Sequence, residues 1–148
     1  MSTTSTDHDP LRRPAAPIVT EPVHDLQLQM LVRLMGQDAQ AALPITLTVG
    51  GAFLYGDLIS HEAWTTDWAR SLHGMDGTGA HLLERFPQQV DEAVVDKQGG
   101  PGPQRLPQWI HLRDATGVAA GGGTAVMPLW RGRLTDVSGW SLGKPKQP

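Results

Sequence analysis

The chain begins its regular patterning with a helical stripe of apolar residues. Over residues 24–35 the apolar positions recur with the three-to-four spacing of one helix face, and Gly36 is placed to end the helix. Packing into the core is the favoured interpretation of this stripe, and an exposed face that binds a partner is the alternative. The stripe consists of Leu26, Met30, Leu31, Leu34 and Met35.

The next segment changes from helical spacing to strict alternation. Residues 45–49 alternate apolar residues with threonine, and residues 53–59 return after Gly50 and Gly51, which permit a tight hairpin turn. Gly56 lies inside the return strand, where a glycine indicates a bulge or a sharp bend. A bulge or bend of this kind curls a small sheet towards a barrel.

A pair of helical patterns separates this hairpin from the later strands. Ser60 can cap a helix over residues 61–72, in which Trp64, Trp68 and Leu72 recur every four residues. This amphipathic face, or an exposed edge of the sheet, offers a route to self-association.

The second helical pattern covers residues 80–96 and contains Pro87, which must kink or split it. It is followed by a segment rich in glycine and proline, which has the composition of a linker. The prediction is therefore a helical insert at 61–97 and a linker at 98–106, both within one domain.

The last third of the chain alternates again. Residues 109–113 predict a third strand, and the apolar Val126, Trp130 and Leu134 share one side of a fourth. Residues 136–139 have the composition of a turn, and residues 140–142 that of a short strand. The sequence thus predicts that the chain ends in a β-hairpin.

These elements define the predicted fold class, α+β. We expect about five antiparallel strands in a curled sheet or a partly closed barrel, with an N-terminal helix and the helical insert. The single domain spans residues 23–143. The polar and proline-containing ends, residues 1–22 and 144–148, are predicted to be flexible tails.

Composition narrows the possible partners. A net charge of −3 gives no basic surplus to attract nucleic acid or an anionic membrane. The absence of cysteine excludes disulfides and cysteine metal sites, and no apolar run is long enough for a signal peptide or a membrane-spanning helix. A cytoplasmic location is predicted.

The motifs that resemble catalytic or binding signatures are incomplete. His61-Glu62 begins like a zinc-protease helix, but Thr65 stands where the second histidine is needed. Gly121-Gly122-Gly123-Thr124 lacks the lysine of a phosphate loop, and no Gly-x-Ser-x-Gly elbow is present. We therefore predict no catalytic residues, no cofactor and no metal, and a protein that is not an enzyme.

Arginines and tryptophans of the last strands form the remaining candidate surface. Arg113, Arg131 and Arg133 are predicted to make a small basic face beside tryptophan rings, although solvated strand residues with apolar stems are the more common explanation for such positions. The candidate partner-binding residues are Trp109, Arg113, Trp130, Arg131, Arg133 and Trp140.

Three blocks of the sequence resemble the gas vesicle accessory protein U family. They are Leu-Pro-Ile-Thr-Leu-Thr-Val-Gly-Gly-Ala-Phe-Leu-Tyr-Gly-Asp-Leu-Ile-Ser at 43–60, Trp-Ile-His-Leu-Arg-Asp-Ala at 109–115, and Leu-Trp-Arg-Gly-Arg-Leu from 129, continued through Val137 and Gly139 to Leu-Gly-Lys at 142–144. The blocks occur in the same order as in the family and cover somewhat under half of the chain.

The resemblance implies a non-enzymatic accessory protein of gas vesicles, which are protein-shelled, gas-filled bodies. It implies gas vesicle structural or assembly proteins as partners, a cytoplasmic and vesicle-associated location, and no catalytic residues. Vesicle assembly or clustering would be modulated through protein–protein contacts.

A more distant resemblance is to Sm-like small barrels, which share the N-terminal helix, the glycine-bent strand and a late Arg-Gly step. It would place Arg131-Gly132 near a sharp bend between the last two strands, and it implies a ring-forming RNA-binding module as the alternative function. The acidic balance and the lack of asparagine argue against RNA as a ligand.

Overall fold

The computed structural model describes residues 25–75, 77–98 and 106–146, with the backbone alone for 94–98. The predicted tail 1–22, the predicted linker except for residues 98 and 106, and the last two residues lie outside the described residues. The elements, in chain order, are α1 Leu26–Met35, β1 Leu43–Val49, β2 Ala52–Ile59, α2 His61–Leu72, α3 Phe86–Gln98, β3 Trp109–Val118, β4 Thr124–Arg133 and β5 Val137–Leu142.

All five described strands form one antiparallel sheet, in the order β4-β3-β2-β1-β5. The predicted terminal hairpin is wrong, because β5 pairs with β1, where Trp140 lies opposite Leu47, and β4 pairs with β3. The predicted turn at 136–139 is also wrong: a 3₁₀ helix at Leu134–Asp136 connects the strands, and Ser138 and Gly139 belong to β5. Alternation indicates a half-buried strand, but it does not identify the partner strand.

The short connection between β4 and β5 shows how far the sheet curls. In a flat five-stranded sheet the two edge strands would lie about 19 Å apart, at roughly 4.8 Å per strand. The 3₁₀ helix at Leu134–Asp136 advances only about 2 Å per residue, so it cannot cross that distance. The two edges must therefore approach each other, although the sheet is not closed. This confirms the predicted α+β fold with a curled sheet.

The main core fills the concave side of the sheet. It is an aliphatic cluster from α1, β1, β2, β3 and the 3₁₀ connection, and burial of such side chains is the principal stabilisation of a domain this size. Its buried members are Leu28, Met35, Ile45, Leu47, Leu54, Leu58, Ile110, Leu112, Ala115 and Leu134.

Helix α1 covers this core with a different face from the predicted one. The predicted stripe is wrong for Leu26, Met30 and Leu34, which are exposed. Leu28 is fully buried instead, and the packed face also includes Leu31, Val32 and Met35. The helix begins at the capping residue Asp25, whose carboxylate accepts from the backbone N–H of Leu28 and from the Trp140 indole N–H.

Gly56 marks a bulge, as predicted. The register between β2 and β3 shifts there, and Asp114 on β3 has a φ of 52°. A Cβ at Gly56 would lie 2.9 Å from the Arg113 carbonyl oxygen and 3.0 Å from the Ala115 Cα. Because both atoms are backbone, the close approach of the bulged strand requires glycine.

Helix α2 forms over the predicted residues and packs on the convex side of the sheet. Ser60 caps it by accepting from the backbone N–H of Ala63. Ile59, Ala63 and Trp64 form a second buried cluster, so this face is not free for self-association. No helix among the described residues is long and apolar enough to cross a membrane.

The second helical stretch is split, as predicted from Pro87. A 3₁₀ helix spans Ala80–Leu83, and α3 begins at Phe86, which leaves the proline in the first helical turn, where its missing N–H removes no hydrogen bond. The Trp68 indole donates to the Leu83 carbonyl oxygen at 3.0 Å, which attaches this stretch to α2.

Candidate functional site

The convex face of β3 and β4 brings together polar and aromatic side chains that alternation places on the same side. His111 on β3 lies directly opposite Arg131 on β4, and Trp109 is two residues before His111 on the same face. The N-terminal turns of α2 cover His111, whose ring centroid lies 5.3 Å from that of Trp64.

Arg131 is held against aromatic rings. Its guanidinium carbon lies 4.2 Å from the Trp109 ring centroid and 5.8 Å from that of Trp64. The Arg131 Nε is buried and has no hydrogen-bond partner among the described residues. Burial lowers the pKa of the Arg131 guanidinium, and the nearby Asp91 raises it in opposition.

A chain of hydrogen bonds links three elements beside this arginine. His61 Nε2, at the start of α2, lies 2.9 Å from Asp91 Oδ2 of α3, and His61 Nδ1 lies 3.3 Å from His111 Nε2. A carboxylate can only accept, so His61 donates from Nε2. In the neutral form of His61, Nδ1 then accepts the proton of His111 Nε2.

His111 is a buried base that resists protonation. Burial, and then the proximity of His61 and Arg131, lowers the pKa of His111 to about 3. The side chain is 3% exposed, so the charged form would lose almost all of its hydration. His111 is therefore neutral at physiological pH.

An open cavity of about 480 Å³ lies beside these groups, within the size range of small-molecule and side-chain pockets. Its described lining has no hydroxyl or thiol side chain, so these residues offer ionic, hydrogen-bonding and aromatic contacts and no such nucleophile. The lining residues are Val32, Arg33, Gly36, His61, Asp91, Pro107, Gln108, Trp109, His111 and Arg131.

Of the predicted partner-binding residues, only Trp109 and Arg131 lie at this cavity. Arg113 shares the face but is ion-paired with Asp67 of α2, and Arg133 is paired with Asp136 at 3.1 Å.

The two remaining tryptophans are directed to the core. Trp130 packs against the main cluster and covers Gly132, where a Cβ would lie 2.2 Å from the Trp130 ring. Trp140 packs against the same cluster, and its indole N–H is bound to Asp25.

The sequence does not identify His61, Asp91, His111 or Arg33 as site residues. In the sequence His61 belongs to an incomplete zinc motif and is one of six scattered histidines, although its place at the start of a capped helix, three residues before Trp64, is a usable signal. Asp91 gives no such signal, because its position depends on how the split insert folds back. Within the described ranges no three His, Cys, Asp or Glu side chains are grouped as a metal site would require.

We expect acidification to destabilise the protein through His111. In the unfolded chain His111 takes up a proton near pH 6.5, whereas in the folded protein it does not until about pH 3. The contribution of neutral His111 to the free energy of unfolding is therefore present above pH 6.5 and is lost as the pH falls towards 3. Between pH 7.5 and 5 the loss should be about 2 kcal/mol, measured as the free energy of unfolding in urea.

A non-titrating variant provides the control for this prediction. His111→Gln should flatten the dependence between pH 7.5 and 5, whereas His81→Gln, at an exposed position of the first 3₁₀ helix, should leave it unchanged. An unchanged slope in His111→Gln would contradict the assignment.

The fold and the site define a small α+β protein with a curled antiparallel sheet and a cation–aromatic cavity on its convex face. Residues 25–145 match the family model described as gas vesicle protein GvpU-like, which covers most of the chain. The chain belongs to this family, as the sequence resemblance predicted, and it is therefore gas vesicle-related. A search of curated proteins finds no match.

Proposed function

We propose that this protein is a non-enzymatic, cytoplasmic accessory protein of gas vesicles, which modulates vesicle assembly or clustering by binding gas vesicle structural or assembly proteins. Membership of the GvpU-like family supports the link to gas vesicles. The proposed contact surface rests on one observation, the stacking of Arg131 on the Trp109 ring at the open cavity.

Trp109 and Arg131 have the properties of an interface anchor. Trp109 is 40% exposed although it is a large ring, and the arginine that stacks on it has no salt bridge among the described residues. Tryptophan and arginine are the side chains most enriched at the energetic centres of protein interfaces. A partner that covers the ring would also complete the polar contacts of the arginine.

Clustering, as opposed to assembly, requires one particle to be joined to another. The exposed residues Leu26, Met30 and Leu34 follow one another along α1, and they offer an apolar stripe for self-association that does not line the cavity. Size-exclusion chromatography with light scattering checks this, and a monomer at every concentration would remove self-association as the route to clustering.

RNA binding is not supported by the described surface. A basic face of three arginines would favour phosphate contacts, but Arg113 and Arg133 are already bound by Asp67 and Asp136. The net charge of −3 gives no compensating attraction.

The proposal is tested by flotation with purified gas vesicles. Labelled protein is mixed with vesicles, spun gently and followed into the floating layer before and after salt and urea washes. We expect the wild-type protein to float and Trp109→Ala to lose at least about 90% of the bound fraction, as removal of an interface anchor does.

Phe53→Ala is the matched control, because Phe53 is an aromatic on β2 that is even more exposed than Trp109, at 55%, and does not line this cavity. It should float like the wild-type protein. Light scattering of the same mixtures distinguishes clustering of vesicles from simple binding. Wild-type protein that stays in the clear liquid would contradict a role on finished vesicles.

A further inference from the structure

The charges around the cavity are unequal. Arg33 of α1 and Arg131 of β4 both line it, while Asp91 is the only acidic residue in the described lining. Asp91 is held by His61, and His111 is neutral. With the histidines neutral, the formal charge of the described lining is positive, and no described carboxylate forms an ion pair with either arginine.

Arg131 is prepared to bind an anion. Stacking on Trp109 limits the orientation of its planar guanidinium, and its buried Nε lacks a partner among the described residues. An arginine whose fork is already oriented loses less entropy when it binds a planar anion with two parallel hydrogen bonds. The guanidinium makes no ion pair with a described carboxylate, so an anion in the cavity can accept from its terminal amino groups.

We propose that this cavity is a receptor for a carboxylate on an apolar body, held by Arg131 with Arg33 in support, and that the body packs on Trp109. Provided that the proposed function holds, the carboxylate belongs to a gas vesicle partner protein, as a chain terminus or an acidic side chain.

The chemistry of the lining favours a carboxylate over a phosphate. A carboxylate carries one negative charge and matches the small positive excess of the cavity. A phosphate monoester carries nearly two charges at neutral pH, and Asp91 in the same lining would repel it. Val32, Pro107 and Trp109 supply the apolar surface that an aliphatic or aromatic body requires.

The probe is N-acetyl-leucine, which carries a carboxylate on an apolar body, and its uncharged counterpart is N-acetyl-leucinamide. Each is titrated into the full chain, and ¹H–¹⁵N spectra follow the indole N–H of Trp109 and the Nε–H of Arg131. We expect saturable shifts at both groups with the acid, and at least tenfold weaker binding of the amide. Equal binding of the two would overturn the proposal.

Two variants and one control locate the site. Arg131→Gln should weaken binding of N-acetyl-leucine at least tenfold. Arg33→Gln, at an exposed position on α1, should weaken it several-fold without affecting folding, so the test does not depend on the stability of the first variant. Arg133→Gln, on the same strand but paired with Asp136 and outside the cavity, should bind like the wild-type protein.

Inorganic phosphate and vesicles complete the test. Phosphate that binds as tightly as N-acetyl-leucine would overturn the preference for a carboxylate. If excess N-acetyl-leucine displaces the protein from vesicles, the carboxylate comes from the partner; if it binds without displacing the protein, the site takes a free acid and only the proposed partner is wrong. If N-acetyl-leucine does not bind, the proposed carboxylate receptor is wrong, whether or not the protein floats with the vesicles.

Discussion

Replacement of Trp64 by alanine is expected to destabilise the protein by about 3–5 kcal/mol, the usual loss for a large aromatic side chain in a core. Trp64 is 6% exposed and connects α2 to the convex face of the sheet, together with Ile59 and Ala63. It also packs against His111 and lies near Arg131, so the variant should lose the cavity as well as stability. The loss in the free energy of unfolding is measured by urea unfolding, with circular dichroism as the signal.

Trp64→Phe separates the role of the ring from that of the indole N–H. The Trp64 Nε1 is buried without a hydrogen-bond partner among the described residues. Phenylalanine removes this unpaired donor and keeps most of the apolar ring, so we expect a change of about 1 kcal/mol or less. A loss in Trp64→Phe as large as in the alanine variant would mean that the N–H is bonded in solution.

The period of α2 could be predicted, but its packing could not. The spacing of Trp64, Trp68 and Leu72 establishes one apolar face, and Ser60 establishes the first residue of the helix. Periodicity is the same whether such a face packs on the concave side of a sheet, on its convex side or on another molecule. Only the structure shows that α2 packs on the convex side and thereby forms one wall of the site.

The candidate site was predictable only where its residues share a strand pair. Alternation within β3 and β4 places Trp109 and Arg131 on one face, so local pattern was sufficient for them. The same reasoning included Arg113 and Arg133, whose acidic partners are 46 and 3 residues away in sequence. Neither pairing is visible in a pattern of polar and apolar positions, because Asp67 lies on α2 and Asp136 lies in a 3₁₀ connection that the pattern does not predict.

The error in strand pairing has a similar cause. Gly50 and Gly51 specify a hairpin because the turn residues themselves impose the pairing of β1 with β2. Between β4 and β5, residues 136–139 resemble a turn, but a 3₁₀ helix begins two residues earlier, at the buried Leu134, and ends at Asp136. The chain therefore turns earlier than the polar residues suggest, and β5 reaches β1 across the open side of the curl.

Leu134→Ala is expected to cost about 2–5 kcal/mol, towards the upper part of that range. Leu134 is 2% exposed and belongs to the main core, at the 3₁₀ connection that brings the two edges of the sheet together. Its backbone N–H donates to the Gln108 carbonyl oxygen at 2.9 Å, so the backbone is fixed and cannot collapse into the space that the missing side chain leaves.

Val126→Ala is the matched control, because the sequence places Val126 and Leu134 on the same apolar stripe and does not distinguish them. In the structure Val126 is 75% exposed at the start of the edge strand β4, so its truncation should change stability by no more than about 0.5 kcal/mol. Thermal and urea unfolding of both variants measure the difference. Equal losses would show that the stripe is buried along its whole length and that the sheet curls more tightly around β4 than its exposure indicates.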